Sequence, residues 1–406
     1  MTRRSMDKLR HLRAEVFQEL TENILPFSMH FVVDRERGGF YGRVANDRTV
    51  QREAPKGLVQ HSRILWTFAR AHRILGGPDY LPVISHARNA LLKWFRDNGH
   101  DGFFWMVNYR GQPLQTDKFT YGQVFSIYGL AEDYLASGNT ESLERAIGIY
   151  HLLEKHCRDS EQGGYWEARQ RDWSAAPGRR VDETNLPVVK GMNTHLHLLE
   201  AYTNLLRAWD DRGMRASLES IVYIMLSRIL NPDTCHLSLF FDQEWKSLSD
   251  SISYGHDIEA SWLLVEAAEV LGDQGLLTQV RAAALQMAHA TLEQGIDANG
   301  GVFDEGSPSG VTRRGKTWWP QAEAMVGFLN AYQLSGDPHF LDASLASWRF
   351  IKKYIVDKDH GDWFWGVDET GRPCDREKAG PWKTPYHNGR ACLEVMQRIK
   401  KLTGGT

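Results

Sequence analysis

Cysteine is scarce in this chain: four residues in 406, at Cys157, Cys235, Cys374 and Cys392, with no CxxC pair among them. Such spacing offers neither a thiolate metal site nor a disulfide framework, and it fits a reducing cytoplasm. No apolar run reaches the length of a membrane span, and residues 1–9 lack the apolar stretch of a signal peptide. Basic residues are not in excess. The 48 Lys and Arg are offset by 51 Asp and Glu, giving a formal charge of −3 and no case for nucleic acid or anionic lipid as a partner. The chain also lacks GxGxxG, a Walker loop, GxSxG and HExxH, which argues against nucleotide chemistry, serine hydrolysis and zinc proteolysis. No Pro/Gly/Ser linker divides it, so one domain over residues 1–406 is expected.

What is present is periodic. His256 lies 16 residues before Gly272, His387 lies 17 before Gly404 and His197 lies 16 before Gly213. Trp319 lies 17 before Gly336, Tyr121 lies 17 before Gly138 and Arg63 lies 13 before Gly76. Glycine is a common helix terminator. The spacing therefore predicts six helices, each presenting a reactive or sugar-binding side chain at a similar height.

A second signal agrees. Gly-aromatic segments recur at Gly39, Gly102, Gly164, Gly301 and Gly361, with a weaker copy at Leu237. Each step has room for two helices and a short hairpin, and self-similarity at a fixed period marks a repeat architecture. Residues 257–271, 193–212 and 317–335 read as inner helices. Residues 82–97, 141–157, 215–230, 274–293 and 338–355 read as their partners. The expected fold is all-α: an (α/α)6 barrel of six helical hairpins with short β-hairpins at one end. An open α-solenoid is the competing arrangement.

The candidate chemistry lies at the helix starts. His256 and Glu259 share a helix face, where a carboxylate can fix a histidine's tautomer. His387 and Arg390 share another. If the ring closes, His256 and His387 approach one point from different sides, which suits removal of a proton on one face of a carbon and its return on the other. The sequence Asn193-Thr194-His195-Leu196-His197 resembles an HxH metal pair. On a helix, however, positions i and i+2 diverge by about 200°, so Asn193 and His197 share a face and read as sugar ligands, while His195 packs elsewhere. No metal and no cofactor are expected. Arg63 heads an apolar helix and can hold a developing oxyanion, or else pair with Glu259 or Glu323. Trp318, Trp319, Glu323, Tyr121 and Trp382 complete the candidate lining.

The blocks beginning Lys56-Gly57-Leu58, Met192-Asn193-Thr194-His195, Ser253-Tyr254-Gly255-His256, Trp318-Trp319 and Trp382-Lys383-Thr384 resemble the acylglucosamine 2-epimerase superfamily, and most of all its cellobiose 2-epimerase branch. That resemblance implies an (α/α)6 barrel that interconverts glucose and mannose at a reducing end without cofactor or metal. It implies a small sugar as the partner and leaves monomer or homodimer open. It also implies His256 and His387 as the acid/base pair, with His197 assisting. Glu259 would orient His256, and Arg63 would bind the enediolate. Asn193, Trp318, Trp319, Glu323, Trp382 and Arg390 would line the sugar site. Residues 182–191 depart from the family pattern, which keeps a mannose 2-epimerase or an aldose–ketose isomerase in view. A glycoside hydrolase using Glu259 and Glu323, or a non-catalytic sugar binder, are the readings of another class.

Overall fold

The computed structural model describes residues 2–176, 178 and 186–404. Among them, six helices form an inner ring: Leu58–Leu75, Thr120–Ser137, Met192–Ala208, Tyr254–Leu271, Trp318–Ser335 and Tyr386–Thr403. Each inner helix packs on the next, and the sixth packs on the first, so the ring is closed. The outer ring consists of Arg3–Gln18, Leu81–Ala90, Thr140–His156, Arg212–Ile224, Gln274–Gln294 and Pro338–Phe350. Five outer helices follow their inner partners in sequence. The first helix of the chain instead pairs with the last, bringing the two ends together. The molecule is an (α/α)6 barrel. None of the described helices is long and apolar enough to cross a membrane.

The inner helices are buried on nearly every face, because each touches two neighbours and the outer layer. Gly138, Gly272, Gly336 and Gly404 end four of them in the left-handed conformation, as their spacing predicts. Gly213 does not behave this way. The third inner helix stops at Ala208, and Asp211 caps the next helix, accepting the Gly213 and Met214 N–H groups at 2.7 and 3.0 Å. An N-cap aspartate outranks a glycine two residues beyond it as a boundary.

The short strands do more than close local hairpins. The residues entering each inner helix pair antiparallel with the following repeat: Lys56 with Val107, Lys118 with Arg169, Lys190 with Phe241, Ile252 with Gly306 and Lys316 with Val367. Ala379 then pairs with Val44, which completes the circuit. One end of the barrel is thus belted by a cyclic series of backbone hydrogen bonds.

A second set of ties fixes the belt to the helices. The fourth residue of each of the first five inner helices takes a backbone N–H from the Gly-aromatic segment. His61 accepts from Phe40 at 3.1 Å, Gln123 from Phe103 at 2.9 Å and His195 from Tyr165 at 3.0 Å. Asp257 accepts from Leu237 at 2.8 Å and Gln321 from Val302 at 2.7 Å. Beside these lie Lys–Asp pairs, buried at Lys56–Asp34, Lys118–Asp97, Lys190–Asp159 and Lys378–Asp357 and half-buried at Lys316–Asp297. The fourth repeat replaces this pair with His236–Asp257 at 2.7 Å. A buried pair is by itself weak evidence of stability, but here the pairs repeat with the fold.

His61 and His195 accept on Nε2, which only the neutral ring can do. Burial pushes their pKa values down to about 3 and about 4 from the ordinary 6.5. A depressed histidine stabilises fully above the unfolded value and less as pH falls toward the folded one. Between pH 6.5 and about 4, each ring should therefore add a slope of about 1.4 kcal/mol per pH unit. Glutamine makes the same tie at positions 123 and 321. His195→Gln should thus fold and flatten the acid side of the stability curve by about one proton, as read by urea denaturation across pH. An unchanged slope would refute this account.

Candidate active site

The belted end opens into a cavity of about 530 Å³, within the range of small-ligand sites. Of the residues singled out from sequence, Arg63, Tyr121, Asn193, His197, His256, Glu259, Trp318, Trp319, Trp382 and His387 all line it. They come from six different helices or the loops leading into them, so only ring closure brings them together.

Glu323 and Arg390, expected in the lining, lie beneath it. The Arg390 guanidinium is buried against three glutamates. It bonds Glu200 and Glu259 at close range and donates to Glu323 at 2.7 Å. It also donates to the Tyr386 hydroxyl at 2.5 Å, which itself donates to Glu200. This cluster ties the third, fourth, fifth and sixth inner helices to one side chain. The same contacts correct a second expectation. Glu259 bonds Arg390 and does not touch His256. Same-helix spacing suggested that pair, but a fully charged guanidinium is the stronger attraction.

The three histidines are oriented by other groups. His197 Nδ1 donates to Glu200 at 2.9 Å, and His387 Nδ1 donates to Glu323 at 2.7 Å. His256 Nδ1 instead pairs with the Ser253 hydroxyl at 2.7 Å. Sequence reasoning missed Ser253, because it precedes the helix whose face was being read. Glu200 stands three residues after His197 on the same helix and could have been paired with it by spacing, whereas the role of Glu323 was hidden because its partners Arg390 and His387 lie on another helix.

Trp319 stands between two of the histidines, with ring centroids 4.6 Å from His256 and 5.6 Å from His387. Gly255 makes room for it. A Cβ there would come within 2.6 Å of the Trp319 ring, so a glycine before His256 is what seats this indole. Trp318 packs edge-on against Trp365 at 4.6 Å. Tyr121 meets His197 edge-on at 5.2 Å.

Arg63 is buried and has no carboxylate within ion-pair distance among the described residues. It donates to the Trp382 carbonyl at 3.0 Å and to the Tyr121 hydroxyl at 2.8 Å, and its guanidinium lies 4.3 Å from the Phe125 ring centroid. The expected alternative pairing with Glu259 or Glu323 is not formed, since Arg390 takes both. Arg63 is therefore a cation held for something else.

His195 is directed away, as expected. Its Nδ1 donates to the Gly191 carbonyl at 2.8 Å and its Nε2 takes the Tyr165 N–H. Glu259, Glu323 and His387 bring ligand atoms within 4.8 Å of one another, but Arg390 and the His387–Glu323 bond already engage three of them. Of the unusual stretch 182–191, residues 182–185 lie outside the described residues.

Burial sets the protonation states. The His256 pKa falls to about 3, chiefly by desolvation with a contribution from His197. His387 lies well below the ordinary value through desolvation and then the charges of Arg63 and Arg390. Desolvation pushes Glu200 up, but Arg390, His197 and Tyr386 together bring it down to about 2. Desolvation and the Glu323 charge raise Glu259 to about 7. Several buried polar atoms have no hydrogen-bond partner: Asn193 Oδ1, Glu259 Oε2, Arg63 Nε and Trp318 Nε1. These atoms belong to residues on four inner helices that all line the cavity, and open acceptors and donors of this kind are what a polyhydroxyl ligand would satisfy.

The sequence profile of the N-acylglucosamine 2-epimerase (GlcNAc 2-epimerase) family matches residues 39–391. The chain belongs to that family. It is 42% identical over 393 residues to the cellobiose 2-epimerase of Bacteroides fragilis, covering 96% of this chain and 100% of that one. The structure of cellobiose 2-epimerase from Bacillus thermoamylovorans superposes with a TM-score of 0.92 at 37% identity, covering 96% and 100% of the two chains. A D-mannose isomerase structure superposes with a TM-score of 0.82 at 21% identity, covering 96% and 97%, and shares the fold.

Removing Arg390 would leave three carboxylates facing each other out of water. Breaking a buried pair in this way typically costs about 3–5 kcal/mol. Arg390→Met should lose at least that much in urea denaturation, and Arg390→Lys should recover part of it, since an ammonium cannot span all three acids. Wild-type stability in Arg390→Met would show that the cluster is not needed for the closed ring.

Proposed function

We propose that the protein is a cellobiose 2-epimerase, inverting C2 of the reducing-end glucose through an enediolate. The observation that carries this reading is the pair of oppositely tethered histidines beside the Trp319 indole. His387 donates its Nδ1 proton to Glu323, which leaves Nε2 as a lone-pair base. The Ser253 hydroxyl can donate to His256 Nδ1, which leaves Nε2 as a proton donor. A base and an acid in one pocket are what inversion at carbon requires. For the two roles to exchange, His256 must carry its proton on Nδ1, and the Ser253 hydroxyl can then turn to accept it.

The sequence of events follows. The ring opens to the aldehyde, and one histidine removes the C2 proton. Arg63, free of any acid, neutralises the enediolate oxygens. The intermediate turns about its C2–C3 bond, and the other histidine returns a proton to the opposite face. His197, Asn193, Tyr121 and Trp318 hold hydroxyls, while Trp319 and Trp382 offer ring faces. Relatives named as cellobiose 2-epimerases at up to 42% identity support the disaccharide as substrate. We read the chain as one catalytic domain acting in the cytoplasm, which its four free cysteines favour. Hydrolysis is disfavoured by the same geometry. Glu323 does not line the cavity, and both of its oxygens are taken by Arg390, His387 and Trp262, so it is not placed to act with Glu259 as a hydrolytic pair.

Proton NMR with cellobiose in D2O should show glucosyl-mannose carrying deuterium at C2. His256→Ala and His387→Ala should each lower the rate by about 10²–10⁴-fold. Arg63→Met should lower it by about 10²–10³-fold. A ketose labelled at C1 would move the assignment to isomerase, and labelled glucose from mannose with cellobiose untouched would move it to a monosaccharide epimerase. Full activity in either histidine variant would end the two-histidine scheme.

A further inference from the structure

The three glutamates around Arg390 are not equally compensated. Glu200 accepts from Arg390, His197 and Tyr386. Glu323 accepts from Arg390, His387 and Trp262. Glu259 accepts from Arg390 alone, on Oε1. Its Oε2 is buried, has no hydrogen-bond partner and belongs to a residue that lines the cavity. A bare carboxylate oxygen out of water is among the costliest groups to bury. Where three acids share one guanidinium, the least compensated of them keeps a proton.

The charged and titratable groups facing Glu259 are Glu323 from the fifth inner helix, Arg390 from the sixth, and His197 and Glu200 from the third. Desolvation and the Glu323 charge act against ionisation, and Arg390 acts for it. The balance is consistent with the hydrogen-bond count.

We propose that Glu259 carries a proton on Oε2 and is the acid that opens the sugar ring, a role separate from the histidine chemistry at C2. The proposal rests on the epimerase reading above. In the step, Oε2–H transfers its proton to the ring oxygen as the C1–O5 bond breaks. The O1 hydroxyl gives its proton to Nε2 of His197, whose Nδ1–H is held by Glu200, and the C1=O1 double bond forms. A carboxylate and an imidazolium result, so charge is conserved. Ring closure after inversion reverses both transfers and restores the proton to Glu259.

Glu259→Gln is the decisive variant, because the amide can donate a hydrogen bond but cannot give up a proton. Interconversion of the two cellobiose anomers is followed by exchange NMR in parallel with C2 deuteration. The wild type should accelerate anomer exchange above the spontaneous rate. Glu259→Gln should lose that acceleration and C2 deuteration together, while binding cellobiitol, an open-chain alditol, within about threefold of wild type. Glu259→Asp should recover part of the anomer exchange. Acceleration by Glu259→Gln equal to wild type would overturn the proposal and leave Glu259 a counter-ion of Arg390. Should the variant not fold, the wild type still decides. A protonated-carboxyl infrared band at mildly acidic pH that shifts when cellobiitol binds supports the proposal, and the lack of any such band overturns it. Failure of the epimerase reading looks different: wild-type protein would leave C2–H unexchanged in every sugar.

Discussion

The guanidinium of Arg390 is the point on which fold and site both depend. It belongs to the last helix of the chain, yet its partners are Glu200, Glu259 and Glu323 on three earlier helices. One planar cation with several donors can satisfy acids arriving from different directions, which a lysine could not do. Its burial is tolerable only because those acids surround it, and theirs only because it is there. The closed ring is therefore written into one residue near the C-terminus. An open solenoid would leave Arg390 and the glutamates exposed to water and unconnected. The same cluster reaches the pocket in two hydrogen bonds, through Glu200 to His197 and through Glu323 to His387. The rigidity that holds the barrel thus also fixes which ring nitrogen is left free for the cavity.

The belt of strand pairs works on a different principle. It repeats a backbone pattern six times and anchors five of the turns with a side chain from the first helical turn. Histidine, glutamine and aspartate serve interchangeably as that anchor at positions 61, 123, 195, 257 and 321. What the position requires is an acceptor of the right length, held by burial. The chemistry of the site is superimposed on this scaffold at the first and second helical turns: His256 is next to the anchor Asp257, and His197 is two residues past the anchor His195.

Much of this was legible because it is local. The spacing from helix start to terminating glycine located the inner helices and the height of their functional residues. Gly213 misled for a local reason too, since the stronger stop signal was the aspartate before it. The failures at the site are of another kind. Helical periodicity says which residues share a face, so it paired His256 with Glu259 and His387 with Arg390. It cannot say that a residue from another helix will offer a stronger partner. Glu200, Glu323 and Arg390 are separated by up to 190 residues in sequence, and their convergence is a property of closure alone. Ser253 escaped because it stands one residue before its helix, where no face can be assigned.

The site poses an energetic problem of its own. In the proposed mechanism His387 is the resting base, yet burial holds its pKa well below the ordinary value, which makes it a poor base toward a weakly acidic C–H bond. Low basicity in the resting pocket is nonetheless compatible with proton transfer. The proton leaves carbon only as negative charge appears on the adjoining oxygens, and that charge raises the affinity of a nearby imidazole for the proton. In the proposed mechanism Arg63 moderates the same charge from the other side, stacked on aromatic faces and without a carboxylate partner among the described residues. Base and oxyanion holder therefore strengthen together at the moment of transfer and relax together afterwards. On this proposal the pocket keeps His256 and His387 neutral and available at rest, and it calls on their basicity only when substrate chemistry supplies the opposing charge.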